Sequence, residues 1–235
     1  LNALARTHGL ANRFTVVPQP QRQYKARNAH LALTQHIRHD EIVAMLDGDD
    51  WLATPDALAI LAPSYVHGFD VVWSQWRGSD NTPGRSYHLH PFISPRAQPF
   101  VSSHLFTFRR RLFDGVEEAH LKDDKGKWLE AGCDVALAIT LLEKTIKRRF
   151  IDKVLYIYNR DNPQSEDKQG VAVSQLVSRK QALTSQLISQ RPSVQRGVDQ
   201  QFLAGHMYEF MHAAAMNDRL QQRIAAAKTQ QAKQS

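Results

Sequence analysis

The sequence of 235 residues has a single cysteine, Cys133, and this scarcity excludes two kinds of site. One thiol cannot form an internal disulfide, and it cannot supply the several thiolates of a cysteine-based zinc site. The sequence also lacks a run of about 18 apolar residues, the length that a membrane-spanning helix needs. The scarcity of cysteine fits a reducing compartment. We therefore expect a cytoplasmic protein, working in solution or at the inner face of the membrane.

The basic residues outnumber the acidic ones, and the excess lies mainly in the C-terminal part. The formal net charge is +7, and the residues from Arg179 onward carry a net charge of +5, with eight Lys or Arg and three Asp or Glu. A basic balance predicts an anionic partner without naming it. We expect no nucleic-acid partner, because basic and aromatic residues are not interleaved as in RNA-binding modules and zinc-finger spacing is absent.

Short apolar runs alternate with amphipathic segments along most of the chain. Apolar runs of this length, rich in β-branched residues, predict buried strands. Amphipathic periodicity predicts helices. The order of strands and helices predicts an α/β fold with a mostly parallel sheet and flanking helices. The predicted strands are residues 13–17, 41–46, 70–73 and 154–158. The predicted helices are residues 24–37, 105–113 and 134–146. A further helix is predicted to start at Thr54-Pro55-Asp56, with Thr54 as its cap, and two more lie beyond residue 171.

The chain divides into two predicted parts. Residues 1–170 form the α/β domain, and residues 171–235 form a helical C-terminal extension, which could pack on the domain, contact a second copy of the chain or touch a membrane surface. Within the domain, residues 78–100 contain four prolines and predict a long loop.

An acidic cluster follows the predicted strand at residues 41–46. Asp47, Asp49 and Asp50 lie within four residues, and Gly48 between them lets the backbone turn sharply. Three neighbouring carboxylates repel one another unless a cation neutralises them. Oxygen ligands of this kind suit Mg²⁺ or Mn²⁺, especially when substrate phosphates complete the shell. The alternative is an acidic turn at a strand end, in which Asp50 caps the following turn.

Four segments, in this order, resemble the family 2 glycosyltransferases of the GT-A fold. They are YKARNAHLALTQHIRHDEIVAMLDGDDWLATPDAL, FVSSHLFTFRRRLF, GCDVALAITLLE and KVLYIYNRDNPQ, and the resemblance covers roughly residues 1–162. It implies a Rossmann-like GT-A domain and a nucleotide-sugar donor, of UDP type, used with Mn²⁺ or Mg²⁺. It also implies a saccharide acceptor, as in polysaccharide biosynthesis.

The resemblance assigns roles on the donor side. Asp49 matches the metal-binding acid of the family's D-x-D motif, and Asp47 matches the acid that contacts the ribose or the metal. Asp50 matches a supporting acid that often follows. Arg27 and Asn28, from the ARN segment, would face the nucleotide.

On the acceptor side, the family's base matches Asp134, near the start of the predicted helix 134–146. Inverting transfer needs a carboxylate that removes the proton of the acceptor hydroxyl. The alternative is that Asp134 only caps this helix, a frequent use of aspartate. The family more often has an acidic pair at this position, whereas here a cysteine precedes the aspartate.

Three further residues are candidates for the acceptor or the pocket wall. His104 could face the pocket or be a hydrogen-bonded structural histidine. Trp51 could stack on a sugar ring. Arg109 belongs to a run of three arginines that could hold an anion or form the solvated face of a helix.

The chain lacks the strand–helix–strand unit with which domains of this family begin. It starts with leucine, and residues 1–10 already have helical spacing. We therefore expect a fragment of a longer enzyme. The rival hypothesis is a non-catalytic glycosyltransferase-like scaffold that recruits partners through its basic C-terminal part.

Overall fold

The computed structural model describes residues 6–7, 9, 11–163, 188 and 200–232. The predicted helix near the N-terminus and the first of the two predicted C-terminal helices lie almost wholly outside the described residues. Across those residues, no helix has the length and apolar content required to cross a bilayer.

Five strands form one sheet in the order β1-β4-β3-β5-β2. Only β3 and β5 pair in parallel within this sheet, and the other three pairings are antiparallel. The sheet is therefore mixed, which corrects the prediction of a mostly parallel one. The strands are β1 (Ile42–Ala44), β2 (Trp51–Leu52), β3 (Val71–Gly78), β4 (Thr107–Arg109) and β5 (Arg148–Tyr158).

Strand β4 is the reason for the difference. The sequence predicted a helix at residues 105–113, but the chain instead forms β4, antiparallel between β1 and β3, and then a short 3-10 helix, Arg110–Phe113. Phe106, Thr107 and Phe108 are all buried, so this segment shows no alternation between apolar and polar residues. The Thr107 hydroxyl also donates to the Val72 carbonyl at 2.7 Å, which satisfies a polar group inside the sheet.

Within the part of the chain that the structure describes, five α-helices flank the sheet. The predictions of helices near residues 24–37 and 134–146 are confirmed, and residues 13–17 form no strand. Thr54 does not cap a helix: its hydroxyl has no hydrogen-bond partner among the residues that the structure describes, and the helix begins after Asp56. The helices are α1 (Tyr24–Gln35), α2 (Ala57–Val66), α3 (Cys133–Glu143), α4 (Gln200–Gly205) and α5 (Met207–Ala232).

Two clusters of buried side chains hold these elements together. The larger one joins α1, α3 and one side of the sheet through residues such as Leu33, Trp73 and Leu141. The second includes Phe69 and also takes in Phe202 from α4. The C-terminal helices therefore pack on the sheet of their own chain, and Asn217 of α5 donates to the carbonyl of His88 at 2.8 Å. The predicted loop at residues 78–100 is confirmed, with one short 3-10 helix inside it.

Candidate functional site

An open cleft of about 1080 Å³ lies at the carboxyl end of β1. It is lined by the segment before α1, the start of α1, the turn after β1 and the start of α3. This fold therefore brings together Asp47, Asp49 and Asp134, which are far apart in the sequence. A smaller pocket of about 30 Å³ with a mainly apolar lining shares Asp47 and Asp134 with the cleft.

The three acids of the turn have different partners. Asp47 accepts a hydrogen bond from Lys25 Nζ at Oδ2, 2.8 Å away, and its Oδ1 lies 2.5 Å from the same nitrogen. Asp49 is exposed, and its Oδ2 accepts a hydrogen bond of 2.7 Å from Asn162 Nδ2. Both carboxylates line the cleft. The repulsion expected within this cluster is therefore relieved partly by one lysine.

Asp50 turns away from the cleft and joins the acidic turn to the end of β5. Its Oδ2 accepts a hydrogen bond from the Tyr156 hydroxyl, and its Oδ1 accepts one of 2.8 Å from the Asn159 N–H. Burial raises the pKa of Asp50 above its usual value, and the carboxylates of Asp49 and Asp47 add to the effect, while the two hydrogen bonds oppose it. Asp50 is therefore held by the protein itself, and the supporting role that the resemblance implies stays a prediction.

Lys25 is a charged residue of the cleft that the sequence did not point to. It is the second residue of α1, and it follows Tyr24, whose φ of 57° is uncommon for a residue other than glycine. Burial alone would lower the pKa of Lys25, but the charge and the hydrogen bond of Asp47 outweigh burial and raise the pKa above its usual value. Lys25 is therefore a protonated cation in the cleft. The feature of the sequence that could have pointed to Lys25 was its position directly before the ARN segment.

Asp134 lies in the first turn of α3 and does not cap this helix. The capping position belongs to Gly132, with φ 69°, and no side chain bonds to the helix end there. The Asp134 carboxylate has no hydrogen-bond donor among the described residues. The start of a helix favours a negative charge. The geometry thus leaves Asp134 as an accessible carboxylate in the cleft wall, contrary to the capping alternative.

His104 stands between the cleft and the sheet. Its ring stacks on that of Tyr156, with 4.6 Å between the centroids, and meets Trp76 edge to face at 5.5 Å. Burial lowers the pKa of His104 below its usual value, which favours the neutral ring. His104 lines the cleft, and its ring is held by aromatic packing rather than by a hydrogen bond within the described residues, so the hydrogen-bonded structural alternative is not supported and its role in the pocket stays a prediction.

Of the other predicted site residues, one lines the cleft and three lie outside its lining. Asn28 lines the cleft, but Arg27 is exposed and its guanidinium donates to the side chain of Gln23, the residue before its helix. Trp51 is 45% exposed on β2, away from the cleft lining. Arg109 lies on β4, where its guanidinium donates to the carbonyls of Phe69 and Tyr65. The functional roles of Arg27, Trp51 and Arg109 stay predictions.

The acids of the cleft fit a divalent cation only in part. Across the described ranges, no group of three or more His, Cys, Asp or Glu side chains is arranged to hold a metal ion. Asp47 is already paired with Lys25, whereas Asp49 is exposed and has one oxygen bonded to an amide. Mg²⁺ commonly uses one or two carboxylates and takes its remaining ligands from substrate phosphates and water. These side chains would therefore need ligands from outside the protein to complete the shell of a divalent cation.

No protein-family model matches the sequence, and no curated protein matches it at a significant level. Among solved structures, the chain is similar to Staphylococcus aureus TarS, residues 1–349, in complex with UDP-GlcNAc, with a TM-score of 0.50 and 14% identity over 88% of this chain and 60% of that one. The complex of the same TarS fragment with UDP gives a TM-score of 0.49 and 16% identity over 88% and 59% of the two chains.

This likeness supports a glycosyltransferase-like fold. At 14% identity it shows the fold alone, and it does not distinguish one glycosyltransferase family from another. The chain spans about 60% of the length of the TarS fragment that it matches.

Proposed function

We propose that this chain carries the site of a glycosyltransferase that moves a sugar from a nucleotide-sugar donor to a hydroxyl of a saccharide acceptor. One observation carries the proposal: the acidic turn and the accessible carboxylate of Asp134 line the same open cleft. The fold shared with TarS, which has been crystallised with UDP-GlcNAc and with UDP, supports a donor of the UDP type. The four sequence segments support the family 2 type of this chemistry.

On the donor side, we assign the diphosphate to the part of the cleft beside the acidic turn. Asp49 would hold Mn²⁺ or Mg²⁺ together with the phosphates, and Asp47 would contact the ribose or the same cation. A bound cation of this kind would offset the negative charge of the departing diphosphate. The exposed position of Asp49 supports this assignment, since its carboxylate is open to a ligand that comes from solvent.

On the acceptor side, Asp134 would accept the proton of the attacking hydroxyl. Removal of this proton by a positioned carboxylate makes the oxygen a better nucleophile as it attacks the anomeric carbon. The absence of a hydrogen-bond donor to Asp134 among the described residues leaves both of its oxygens available for a hydroxyl. A single direct displacement of this kind inverts the configuration of the sugar. Neutral His104 would line the pocket in which the sugar is held.

Calorimetric titration with UDP, with and without Mn²⁺, tests the proposal. We expect UDP to bind when Mn²⁺ is present and not to bind in buffer without it. We also expect Asp49→Ala to abolish the effect of the cation. Asp124→Ala is a matched control, because Asp124 is exposed and lies outside the cleft. Binding of equal strength with and without Mn²⁺ would refute the metal-dependent mechanism, and no binding at all would refute the donor assignment.

A further inference from the structure

The ion pair between Lys25 and Asp47 occupies the cleft itself. The ammonium contacts both oxygens of the carboxylate, at 2.5 and 2.8 Å. Both side chains line the cleft, and each remains about one-third exposed. The charge of Asp134, which lines the same cleft, also acts on Lys25. The Lys25 ammonium is therefore paired with the acidic turn and also feels the charge of the candidate base.

Packing of α1 does not explain this pair. The helix is anchored by Ala26 and Leu33, which are each 1% exposed and belong to the larger core cluster. Ion pairs with this degree of exposure contribute little to stability, because water screens the charges and both side chains lose freedom. The position of the pair in the cleft calls for an explanation in terms of ligands.

The two charges of the pair match the two parts of the proposed donor complex. A divalent cation would need the oxygens of Asp47 that Lys25 now contacts. A diphosphate would need a cationic partner such as a lysine ammonium, which binds phosphate as a compact point charge. Both ligands together would separate Lys25 from Asp47 and satisfy each of them.

We propose that Lys25 is an internal counter-ion of the cleft, which neutralises Asp47 in the donor-free protein and moves to the donor diphosphate when the nucleotide and its cation bind. The inference rests on the proposed function and deepens it by assigning a residue to the diphosphate. Lys25 opposes binding of the cation alone and favours binding of the cation together with the nucleotide. It thereby makes the two ligands bind cooperatively.

The test compares the wild-type chain with Lys25→Met in two titrations. In the first, Mn²⁺ is added without nucleotide, and we expect the variant to bind it about tenfold more tightly, because a nearby positive charge has been removed. In the second, UDP is added at saturating Mn²⁺, and we expect the variant to bind UDP about tenfold more weakly, because the diphosphate has lost its lysine. The two affinities thus move in opposite directions.

Two control variants complete the test. Lys25→Arg keeps the positive charge and should stay close to the wild type in both titrations. Lys125→Met makes the same substitution at an exposed lysine outside the cleft, and it should change neither affinity. Circular dichroism of each variant shows whether the fold is retained.

The outcomes separate the inference from the proposed function. Unchanged affinities in Lys25→Met, or a parallel loss of both, would overturn the counter-ion role, since a merely structural lysine would weaken both ligands together. If wild-type chain does not bind UDP with Mn²⁺, the proposed function and the diphosphate role fail together. If wild-type chain binds UDP and the variant binds Mn²⁺ no more tightly, only the counter-ion role fails.

Discussion

Two clusters of charged side chains lie beside different parts of the sheet, and they differ in how many of their hydrogen bonds the protein itself supplies. In the first, the Asp70 cluster, the carboxylate is 6% exposed and accepts hydrogen bonds from Arg111 Nη2 at 2.8 Å and from the Thr145 hydroxyl at 2.9 Å. Arg109 lies beside it, with its Nε 3.6 Å from the carboxylate, and its guanidinium also donates to main-chain carbonyls. The groups of this cluster are largely saturated by the protein.

The second cluster consists of Lys25, Asp47, Asp49 and Asp134 in the cleft. Its carboxylates have one protein partner each or, in the case of Asp134, no donor within the described residues. Charged groups that are left open to solvent in a concave site can exchange water for a ligand, whereas saturated buried groups hold the fold. The comparison thus separates a cluster whose charges are open to a ligand from one whose charges are taken up by the fold, although both are rich in charge.

The largest expected effect is on activity, and it comes from a substitution in the cleft cluster. We expect Asp134→Asn to lower turnover of an added saccharide acceptor by about 10²–10⁴-fold, the usual contribution of a general base, because an amide cannot take the proton. The free energy of unfolding should fall by no more than about 1 kcal/mol, since this carboxylate has no hydrogen-bond donor in the described fold and contributes only through its charge at the start of α3. A transferase assay and urea denaturation measure the two quantities. Unchanged turnover would remove Asp134 from the mechanism.

The next largest effect is on stability, and it comes from a substitution in the Asp70 cluster. We expect Asp70→Ala to lower the free energy of unfolding by about 3 kcal/mol, because it leaves Arg109 and Arg111 without their buried carboxylate. Urea denaturation measures this loss, with Asp124→Ala as the exposed control. The affinity of the folded fraction for UDP should stay at the wild-type value. A stable Asp70→Ala chain with weakened UDP binding would show that the Asp70 cluster also serves the ligand.

The smallest effect is on the pH dependence of stability, and it comes from His88, which belongs to neither cluster. His88 is packed against the Phe150 ring at 4.9 Å and lies near His212 and Asp152. Burial and the neighbouring His212 lower the pKa of His88 to about 4, while Asp152 opposes the shift. Because the folded pKa lies below the unfolded value, the unfolded chain binds more protons between pH 6.5 and 4. Stability should therefore fall as the pH drops through this window.

The loss at His88 should be about 1–2 kcal/mol, since the ring is partly hydrated and the full shift does not count toward stability. Denaturant unfolding at pH 7 and pH 4.5 measures it, and His88→Gln should give a flatter dependence on pH. An equally steep dependence in His88→Gln would assign the effect to other groups.

The sequence predicted those features that depend on local patterns. The apolar face of α3 repeats with helical spacing, and the acidic turn follows a short apolar strand, so both were visible without the structure. The helix α1 was also predicted, within two residues at its end. In these cases the neighbours along the chain contain the information that decides the structure.

The features that the sequence did not predict depend on pairings between distant residues. The choice between helix and strand for β4 is decided by two flanking strands, and the segment itself is apolar on both faces. The pairing of Lys25 with Asp47 spans 22 residues and depends on how α1 packs on the sheet. For the same reason the partners of Arg109, which lie about 40 residues away, could not be inferred.

The position of β4 also ties the acidic turn to the rest of the sheet. Among the described strands, β1 pairs with β4 alone, and β4 joins it to β3. The acidic turn begins three residues beyond β1, so its place depends on a segment that lies far along the chain. The shape of the cleft therefore depends on β4, although no residue of β4 lines it. A substitution that loosens the β1–β4 pairing would weaken ligand binding from outside the cleft.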